Sequence, residues 1–335
     1  MKILVTGGAG YIGSHAVKLL LEKKNQVIVI DNLYRGYKQV IDVLQKKFGR
    51  KNLKFYLADL KDFDKISQIL KKEKPNGVMH FAALCLVNES MEKPEDYFEN
   101  NVYGSLNLLK AMAANKTKNI VFSSTCAVYG ESQYLPVDEK HPLKPTNPYG
   151  ESKLMVERIL SWFKEIYNLK YCILRYFNVS GAASDGMIGD SKKPSQLLVQ
   201  NAVRGALKIQ PFKLTCPKVK TKDGTPIRDY INVEDLVNAH VLALNYLIKG
   251  GKSNIFNLGT GKGNSVLEVV KQVQKTTGVK FKITKGKPRQ GEYAKIYANI
   301  NKAKRVLKWR PKKTIKESIL SLLKWYRIHP QGWQY

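Results

Sequence analysis

Short, almost wholly apolar runs alternate with amphipathic stretches through the first half of the chain. Lys2-Ile3-Leu4-Val5, Gln26-Val27-Ile28-Val29-Ile30, residues 53–58, Gly77-Val78-Met79-His80 and Asn119-Ile120-Val121-Phe122 are each followed by residues at helical spacing. A strand that is apolar on both faces needs cover on both faces, so this alternation predicts a parallel sheet with helices on either side. Every run ends in small or polar residues: Thr6-Gly7-Gly8, Asp31, Asp59-Leu60, Phe81-Ala82-Ala83 and Ser123-Ser124-Thr125. Parallel sheets of this kind bind ligands at the carboxyl ends of their strands, which places the candidate chemistry at those residues. The fold class expected is α/β, a doubly wound parallel sheet.

After residues 169–175 the pattern changes. Residues 181–228 read as irregular, rich in Gly, Pro and Lys, with one helix near 197–207 and a turn at Lys222-Asp223-Gly224-Thr225. A helix near 234–246, a strand at 254–258 and helices near 265–277 and 314–327 complete the chain. Residues 1–180 are expected to form the nucleotide-binding domain and 181–335 mainly a smaller α/β substrate-binding lobe. Segments around 229–260 are expected to return to the first domain, and the cleft between the lobes is the expected substrate site. No repeat, low-complexity tract or flexible linker is evident.

Length and composition narrow the classes further. With 335 residues, 43% of them hydrophobic, the chain has material for one large core or two interlocking ones. A strand pattern begins at Lys2, so no signal peptide is expected, and no apolar run is long enough to suggest a membrane-crossing helix. Cys85, Cys126, Cys172 and Cys216 are scattered without Cys-x-x-Cys spacing, as expected of reduced thiols in a cytoplasmic protein, and no metal site is implied. The net charge of +30 comes almost wholly from lysines spread along the chain. Without a basic block or a nucleic-acid module it reads as a solvated surface that would steer anionic substrates, with no specific nucleic-acid partner.

The first unit is the most informative. An apolar strand enters Thr6-Gly7-Gly8-Ala9-Gly10-Tyr11-Ile12-Gly13, a helix runs to about Lys23, and the next strand ends at Asp31. The glycines permit a tight turn, and a helix N-terminus with open N–H groups favours a pyrophosphate. A carboxylate at the second strand end can accept from the adenosine ribose hydroxyls, which favours NAD over its 2′-phosphorylated form. Asp59 could reach the adenine and Phe81 to Ala83 could line the dinucleotide, although either stretch reads equally well as a turn or as packing.

A second motif supplies a base. In Asn147-Pro148-Tyr149-Gly150-Glu151-Ser152-Lys153, Tyr149 and Lys153 are four apart and share a helix face. A nearby ammonium favours the phenolate and pulls a phenol's pKa down from about 10. Spacing alone decides little, because chance gives two or three Tyr/Lys pairs at this separation in such a chain, and Tyr34/Lys38 is another. Pro148 marks a helix start, and an amphipathic run through Met155, Ile159 and Phe163 follows, whereas Tyr34/Lys38 lies in a polar turn. Thr125 offers a hydroxyl at the strand end that precedes this helix.

Taken together the motifs resemble the extended short-chain dehydrogenase/reductase family, and within it the sugar-nucleotide 4-epimerases, over essentially the whole chain. The resemblance rests on the glycine turn, Asp31-Asn32-Leu33, His80-Phe-Ala-Ala83, Glu99-Asn-Asn-Val102, Phe122-Ser-Ser-Thr125, Pro148-Tyr-Gly150 with Lys153, and Arg175-Tyr-Phe-Asn178. It continues through Asp223-Gly-Thr225, Arg228-Asp-Tyr230, Asn257-Leu-Gly-Thr-Gly261, Gly263-Asn-Ser265 and His329-Pro-Gln-Gly332. It implies a Rossmann-like NAD-binding domain, a homodimer, and interconversion of UDP-galactose and UDP-glucose through a transient 4-keto sugar on tightly bound NAD. By the same resemblance Tyr149 is the base and acid, Lys153 tunes it and holds the nicotinamide ribose, and Thr125 bonds the sugar O4. The cofactor would lie on Gly7, Gly10, Tyr11, Ile12, Gly13, Asp31, Asn32, Asp59, Leu60, Phe81, Ala82, Ala83, Asn100, Ser123, Tyr149 and Lys153, with Tyr176 near the nicotinamide. Asn178, Arg228 and Arg289 would hold the UDP moiety, and Gln196, Glu292 and Ile296 complete the substrate set. Read without the resemblance, Arg228 could pair with a surface acid and Asn178 could cap a turn.

The chain also departs from the family pattern. Cys85 stands where many members carry a basic or polar residue, Gln196 where an Asn or His is frequent, and Glu292 where Asp is usual. Ile296 occupies the position whose bulk governs whether an N-acetyl group fits, leaving UDP-N-acetylhexosamines and UDP-pentoses open as substrates. Family members that eliminate water as 4,6-dehydratases carry Asp-Glu just after the Ser/Thr strand end; here Cys126-Ala127 follow Thr125. A non-catalytic NAD-binding scaffold is the remaining alternative, and the intact Tyr149, Lys153 and Thr125 set weighs against it.

Overall fold

The computed structural model describes residues 1–191, 195–287 and 293–334. In chain order it begins β1 (Lys2–Thr6), α1 (Tyr11–Glu22), β2 (Gln26–Asp31), α2 (Lys38–Phe48), β3 (Leu53–Leu57), α3 (Phe63–Glu73) and β4 (Gly77–His80). Two short helices, α4 (Val87–Glu92) and α5 (Pro94–Tyr97), and a π-helical turn (Phe98–Tyr103) lead into α6 (Gly104–Ala114). Then come β5 (Asn119–Thr125), α7 (Pro148–Tyr167), β6 (Lys170–Tyr176) and β7 (Asn178–Ser180). The remainder comprises α8 (Leu198–Ala206), β8 (Phe212–Leu214), β9 (Ile227–Arg228), β10 (Tyr230–Asn232), α9 (Val233–Ile248) and β11 (Asn254–Leu258). It closes with β12 (Asn264–Ser265), α10 (Val266–Thr277), β13 (Ile283–Lys285), β14 (Lys295–Ile296), α11 (Asn301–Val306) and α12 (Ile315–Ile328).

Seven strands form one sheet in the order β11-β6-β5-β4-β1-β2-β3, with β1 parallel to both β2 and β4. The strand order reverses between β1 and β4, and the crevice outside their carboxyl ends is the ligand position of a doubly wound fold. The expected fold class is therefore the one found. Ile28, Val78, Ile120 and Phe122 from the sheet pack against Ile66, Leu70, Leu108, Met112, Val156 and Leu160 of α3, α6 and α7.

Two compact units emerge. One comprises Met1–Val128, Pro145–Arg175 and Val237–Phe256, the other Tyr129–Lys144, Tyr176–Leu236 and Asn257–Tyr335. The chain leaves the first unit at Tyr129, is back in it for Pro145–Arg175, passes to the second unit at Tyr176, and returns once more for Val237–Phe256, which takes in part of α9 and of β11. In the second unit α8, α10 and α12 bury Val199, Val203, Val270, Val273, Leu322 and Trp325 among themselves. Capping boxes at Ser265/Glu268 and Thr314/Glu317 fix the starts of α10 and α12, satisfying N–H groups that would otherwise be orphaned. Residues 181–228, expected to be irregular apart from one helix, also contribute β8 and β9. Strands of two or three residues carry too little periodicity to be seen in sequence.

Candidate functional site

The first unit builds a cradle at the β1–β4 crevice. Gly7 takes φ +70°, and a Cβ there would stand 2.6 Å from the Ala82 amide nitrogen, so only glycine lets the turn lie against the end of β4. A Cβ on Gly13 would stand 2.1 Å from the Gly7 carbonyl oxygen, which makes glycine obligatory where α1 crosses the turn. Gly10 is the N-cap of α1 and supplies no side-chain cap, leaving the helix N-terminus open toward an anion. Asp31 is buried and accepts 2.9 Å bonds from the N–H groups of Ala9 and Leu33. Burial raises its pKa while those two donors oppose the rise. A carboxylate has roughly four acceptor positions, so two backbone donors leave capacity for vicinal hydroxyls. Asn32 donates to Asp59 across 2.8 Å, joining the ends of β2 and β3 on the same rim. An open helix end, a glycine surface without side chains and a terminal carboxylate fit a dinucleotide.

The second feature is the start of α7. Asn147 accepts a 2.8 Å bond from the Gly150 N–H, and Pro148 occupies the first turn, where a missing N–H costs nothing. A Cβ on Gly150 would meet the Ala127 carbonyl at 2.7 Å, so this glycine lets α7 begin directly against the end of β5. Tyr149, 8% exposed, packs with Leu84, Tyr97 and Ala127. Lys153, one turn on, is 3% exposed; its ammonium donates 2.9 Å to the Ser123 carbonyl and lies 4.8 Å from the centre of the Phe122 ring. Burial pulls its pKa down to about 8, with Cys85 and Glu157 pulling the other way. Thr125 Oγ1 accepts a 3.1 Å bond from the Ala127 N–H, leaving its own O–H to donate. Cys126–Val128 form a short turn after β5 with no carboxylate. The pair Tyr34/Lys38 lies elsewhere: Lys38 opens α2 and pairs with Asp42.

Sequence reasoning passed over several residues around this centre. Asn101, within the π-helical turn, accepts 2.8 Å from the Leu84 N–H and donates to the Leu84 carbonyl and Ser152 hydroxyl, both at 3.0 Å. It ties the loop after β4 to the helix carrying Tyr149 and Lys153. The motif points to its neighbour Asn100 as a ligand contact, whereas Asn101 makes its contacts inside the protein. Glu157 and Arg175 form a buried ion pair, with Arg175 Nε 3.0 and 3.2 Å from the two carboxylate oxygens, and Glu157 also accepts from Ser124. This fixes α7 against the carboxyl end of β5. His80 bridges Thr6 (2.7 Å) and Ser105 (2.8 Å); burial, then the Lys153 charge, drives its pKa down to about 3, so it is a neutral strut. Tyr97 bonds Leu86 and Glu89, and burial and the Glu89 bond push its pKa far up.

The second unit holds Tyr176, Asn178, Gln196, Arg228 and Ile296. Ile296 and Arg228 are register partners on β14 and β9, so their side chains share a face. The Arg228 guanidinium lies 5.1 Å from the centre of the Tyr293 ring and donates to the Ile227 carbonyl at 3.0 Å. Asp229, buried beside it, accepts from Thr260, Gly261 and Ala298, gathering three segments around Arg228 and Ile296. The Asn178 N–H donates 2.9 Å to the Asp229 carbonyl, which anchors β7 beside β10. Gln196 is half-buried just before α8. Arg289 and Glu292 lie outside the described residues.

Known proteins share this architecture. Residues 4–322 match the family model described as GDP-mannose 4,6 dehydratase. A UDP-glucose 4-epimerase from Lactobacillus helveticus is 44% identical over 336 residues, covering 100% of this chain and 99% of the relative. The chain belongs to the UDP-glucose 4-epimerase family. A solved member from Bifidobacterium longum, in complex with NAD+ and UDP, superposes with a TM-score of 0.94 at 35% identity, over 99% of this chain and 100% of that one. The family is broader than one sugar: UDP-arabinose 4-epimerase 1 of Arabidopsis thaliana is 41% identical, over 99% of this chain and 80% of its own length. The matching family model carries a dehydratase's name, yet the residues after Thr125 in this member lack the carboxylates that elimination would use.

Proposed function

We propose that the protein interconverts UDP-galactose and UDP-glucose by inverting C4 of the sugar, with NAD held in the first unit. The observation that carries this reading is the joining of Tyr149, Lys153 and Thr125 to the carboxyl end of β5, in the unit that also holds the glycine cradle. Gly7, Gly10 and the α1 N-terminus would hold the pyrophosphate, Asp31 the adenosine ribose, and Lys153 the nicotinamide ribose. When bound, NAD supplies a hydride acceptor for oxidation of C4 and a donor for its reduction.

Tyr149 as phenolate takes the proton from the sugar 4-hydroxyl and gives it back after the 4-keto sugar has turned its other face. Lys153, cationic at neutral pH and fixed by the Ser123 carbonyl, favours that phenolate. Thr125 donates to the sugar O4 and keeps it against Tyr149. Arg228, with Arg289, would grip the diphosphate, since a planar guanidinium matches its oxygens. Firm nucleotide binding with loose sugar binding is what permits the turn. The overall reaction is redox neutral, so the dinucleotide need not exchange between turnovers.

The protein is further proposed to be a cytoplasmic homodimer. A groove lined by Phe98, Val102, Tyr103, Leu106 and Met155 together with Glu99 and Glu151, with Tyr103 and Met155 exposed, supports a self-association face. All four cysteines are thiols, in keeping with a reducing compartment. Among the described residues no helix is long and apolar enough to cross a membrane.

Incubation with UDP-galactose tests the reading: UDP-glucose is expected, whereas a stable 4-keto-6-deoxy product or no turnover refutes it. Tyr149→Phe should abolish turnover while dinucleotide stays bound, and near-normal activity would discredit Tyr149 as the base. Parallel assays with UDP-N-acetylgalactosamine and UDP-arabinose rank the alternatives left open by the intermediate bulk of Ile296.

A further inference from the structure

We propose that His240 is a positioning residue for the reaction proposed above, acting through Ser123 on Lys153 and holding the ring of Phe81; the role in turnover rests on that reading.

His240 lies on α9, more than a hundred residues beyond the strand ends that it touches. It is 0% exposed and is flanked by the buried apolar residues Leu236, Val237, Ala239, Val241 and Leu244. An imidazole in such surroundings costs free energy unless its nitrogens are bonded. Its Nε2 lies 2.9 Å from Ser123 Oγ, and its ring centroid lies 4.7 Å from that of Phe81 at an interplanar angle of 32°. Ser123 is the residue whose carbonyl accepts the Lys153 ammonium at 2.9 Å. Phe81 follows β4, and its N–H donates 3.1 Å to the Thr6 carbonyl beside the glycine turn.

One ring therefore touches side chains at the ends of both β4 and β5, strands that the sheet already pairs through His80 and Phe122. Ser123 has two polar handles: the hydroxyl faces His240 and the carbonyl faces Lys153. Ser123 lies within β5, and its bond to His240 restrains the side chain of the same residue whose carbonyl draws the ammonium. Phe81 is only half-buried, so its orientation depends on what stacks against it. A histidine supplies both contacts from one side chain. Phenylalanine would keep the stack and lose the bond, and glutamine would keep a polar atom and lose the ring.

The test uses the purified protein with its dinucleotide and the variants His240→Phe, His240→Gln, His240→Ala, Ser123→Ala and His240→Phe/Ser123→Ala. Two quantities are read: kcat and KM for UDP-galactose, and the dinucleotide retained through gel filtration. His240→Phe and Ser123→Ala should each lower kcat by roughly 10- to 100-fold, as small misplacements of a catalytic group do, with KM changing less than about threefold. The double variant should be no slower than the slower single one, because both changes break the same link. His240→Gln should recover much of kcat. His240→Ala should shed dinucleotide that His240→Phe retains.

Multiplying effects in the double variant, parallel changes in kcat and KM, or an unimpaired His240→Phe would each overturn the proposal. If His240→Phe does not fold, His240→Ala takes its place in the cycle and Ser123→Ala must diminish its effect on kcat; an undiminished effect there refutes the link. Should the unaltered protein fail to turn over UDP-galactose, the functional reading falls by itself. Dinucleotide retention then decides the position of His240: equal retention by the Ala and Phe variants overturns it.

Discussion

Lys153 is held in the protein at a cost that its own titration can expose. Its pKa of about 8, against 10.5 for a free lysine, means that the ammonium carries a burial penalty of roughly 3 kcal/mol at neutral pH. Between those two values the unfolded chain binds more protons than the folded one, so stability rises with pH across this window and is lowest below it. Lys153→Met keeps the length of the side chain and removes the titration. It also abandons the Ser123 carbonyl, at roughly 1–3 kcal/mol, but that cost does not vary with pH. The advantage of Lys153→Met over the unaltered protein should therefore shrink by roughly 2–3 kcal/mol between about pH 7 and pH 10. Urea unfolding of both proteins, freed of dinucleotide, at several pH values measures the difference. A gap that stays constant over this range would refute the claim that Lys153 is buried as an unfavourable cation. Turnover should be lost in the same variant, so the charge that costs stability would be the one catalysis requires.

Three other outcomes follow from neighbouring residues. Gly7→Ala forces a Cβ to 2.6 Å from the Ala82 amide nitrogen at φ +70°; the backbone alone costs roughly 1–2 kcal/mol, and retained dinucleotide should fall at least tenfold, as read after gel filtration. Glu157→Gln strands the Arg175 guanidinium, 1% exposed, and should cost about 3 kcal/mol or more in urea unfolding, most of it recovered in Glu157→Gln/Arg175→Met. His80, with its pKa driven from 6.5 to about 3, binds its proton only in the unfolded chain across that interval. Stability relative to His80→Asn should then fall by roughly 2–3 kcal/mol from about pH 6.5 to pH 4.5; a difference that does not change with pH would show that His80 titrates normally.

What the sequence determined by itself was local. The apolar runs reveal β1, β2, β4 and β5 because a strand covered on both faces must be apolar throughout, whereas β3, at the sheet edge with Lys54 and Leu57 exposed, shows a less complete run. Gly7 and Gly13 reveal the turn because only glycine tolerates the approach there, and Pro148 reveals the start of α7 because an N-terminal turn has N–H groups to spare. Spacing placed Tyr149 and Lys153 on one face. Tertiary structure alone decided everything that depends on residues distant along the chain. Burial of Lys153 against Ser123 sets its low pKa, and Thr6 and Ser105 hold a neutral His80. Asn101 clamps Leu84 to Ser152, and α9 delivers His240 to the ends of β4 and β5. The short strands β8, β9 and β14 are invisible in the sequence because their pairing is set by partners in distant segments, with too few residues to show a period. Desolvation and pairing across the fold are properties of the packed chain, and no local pattern encodes their magnitude.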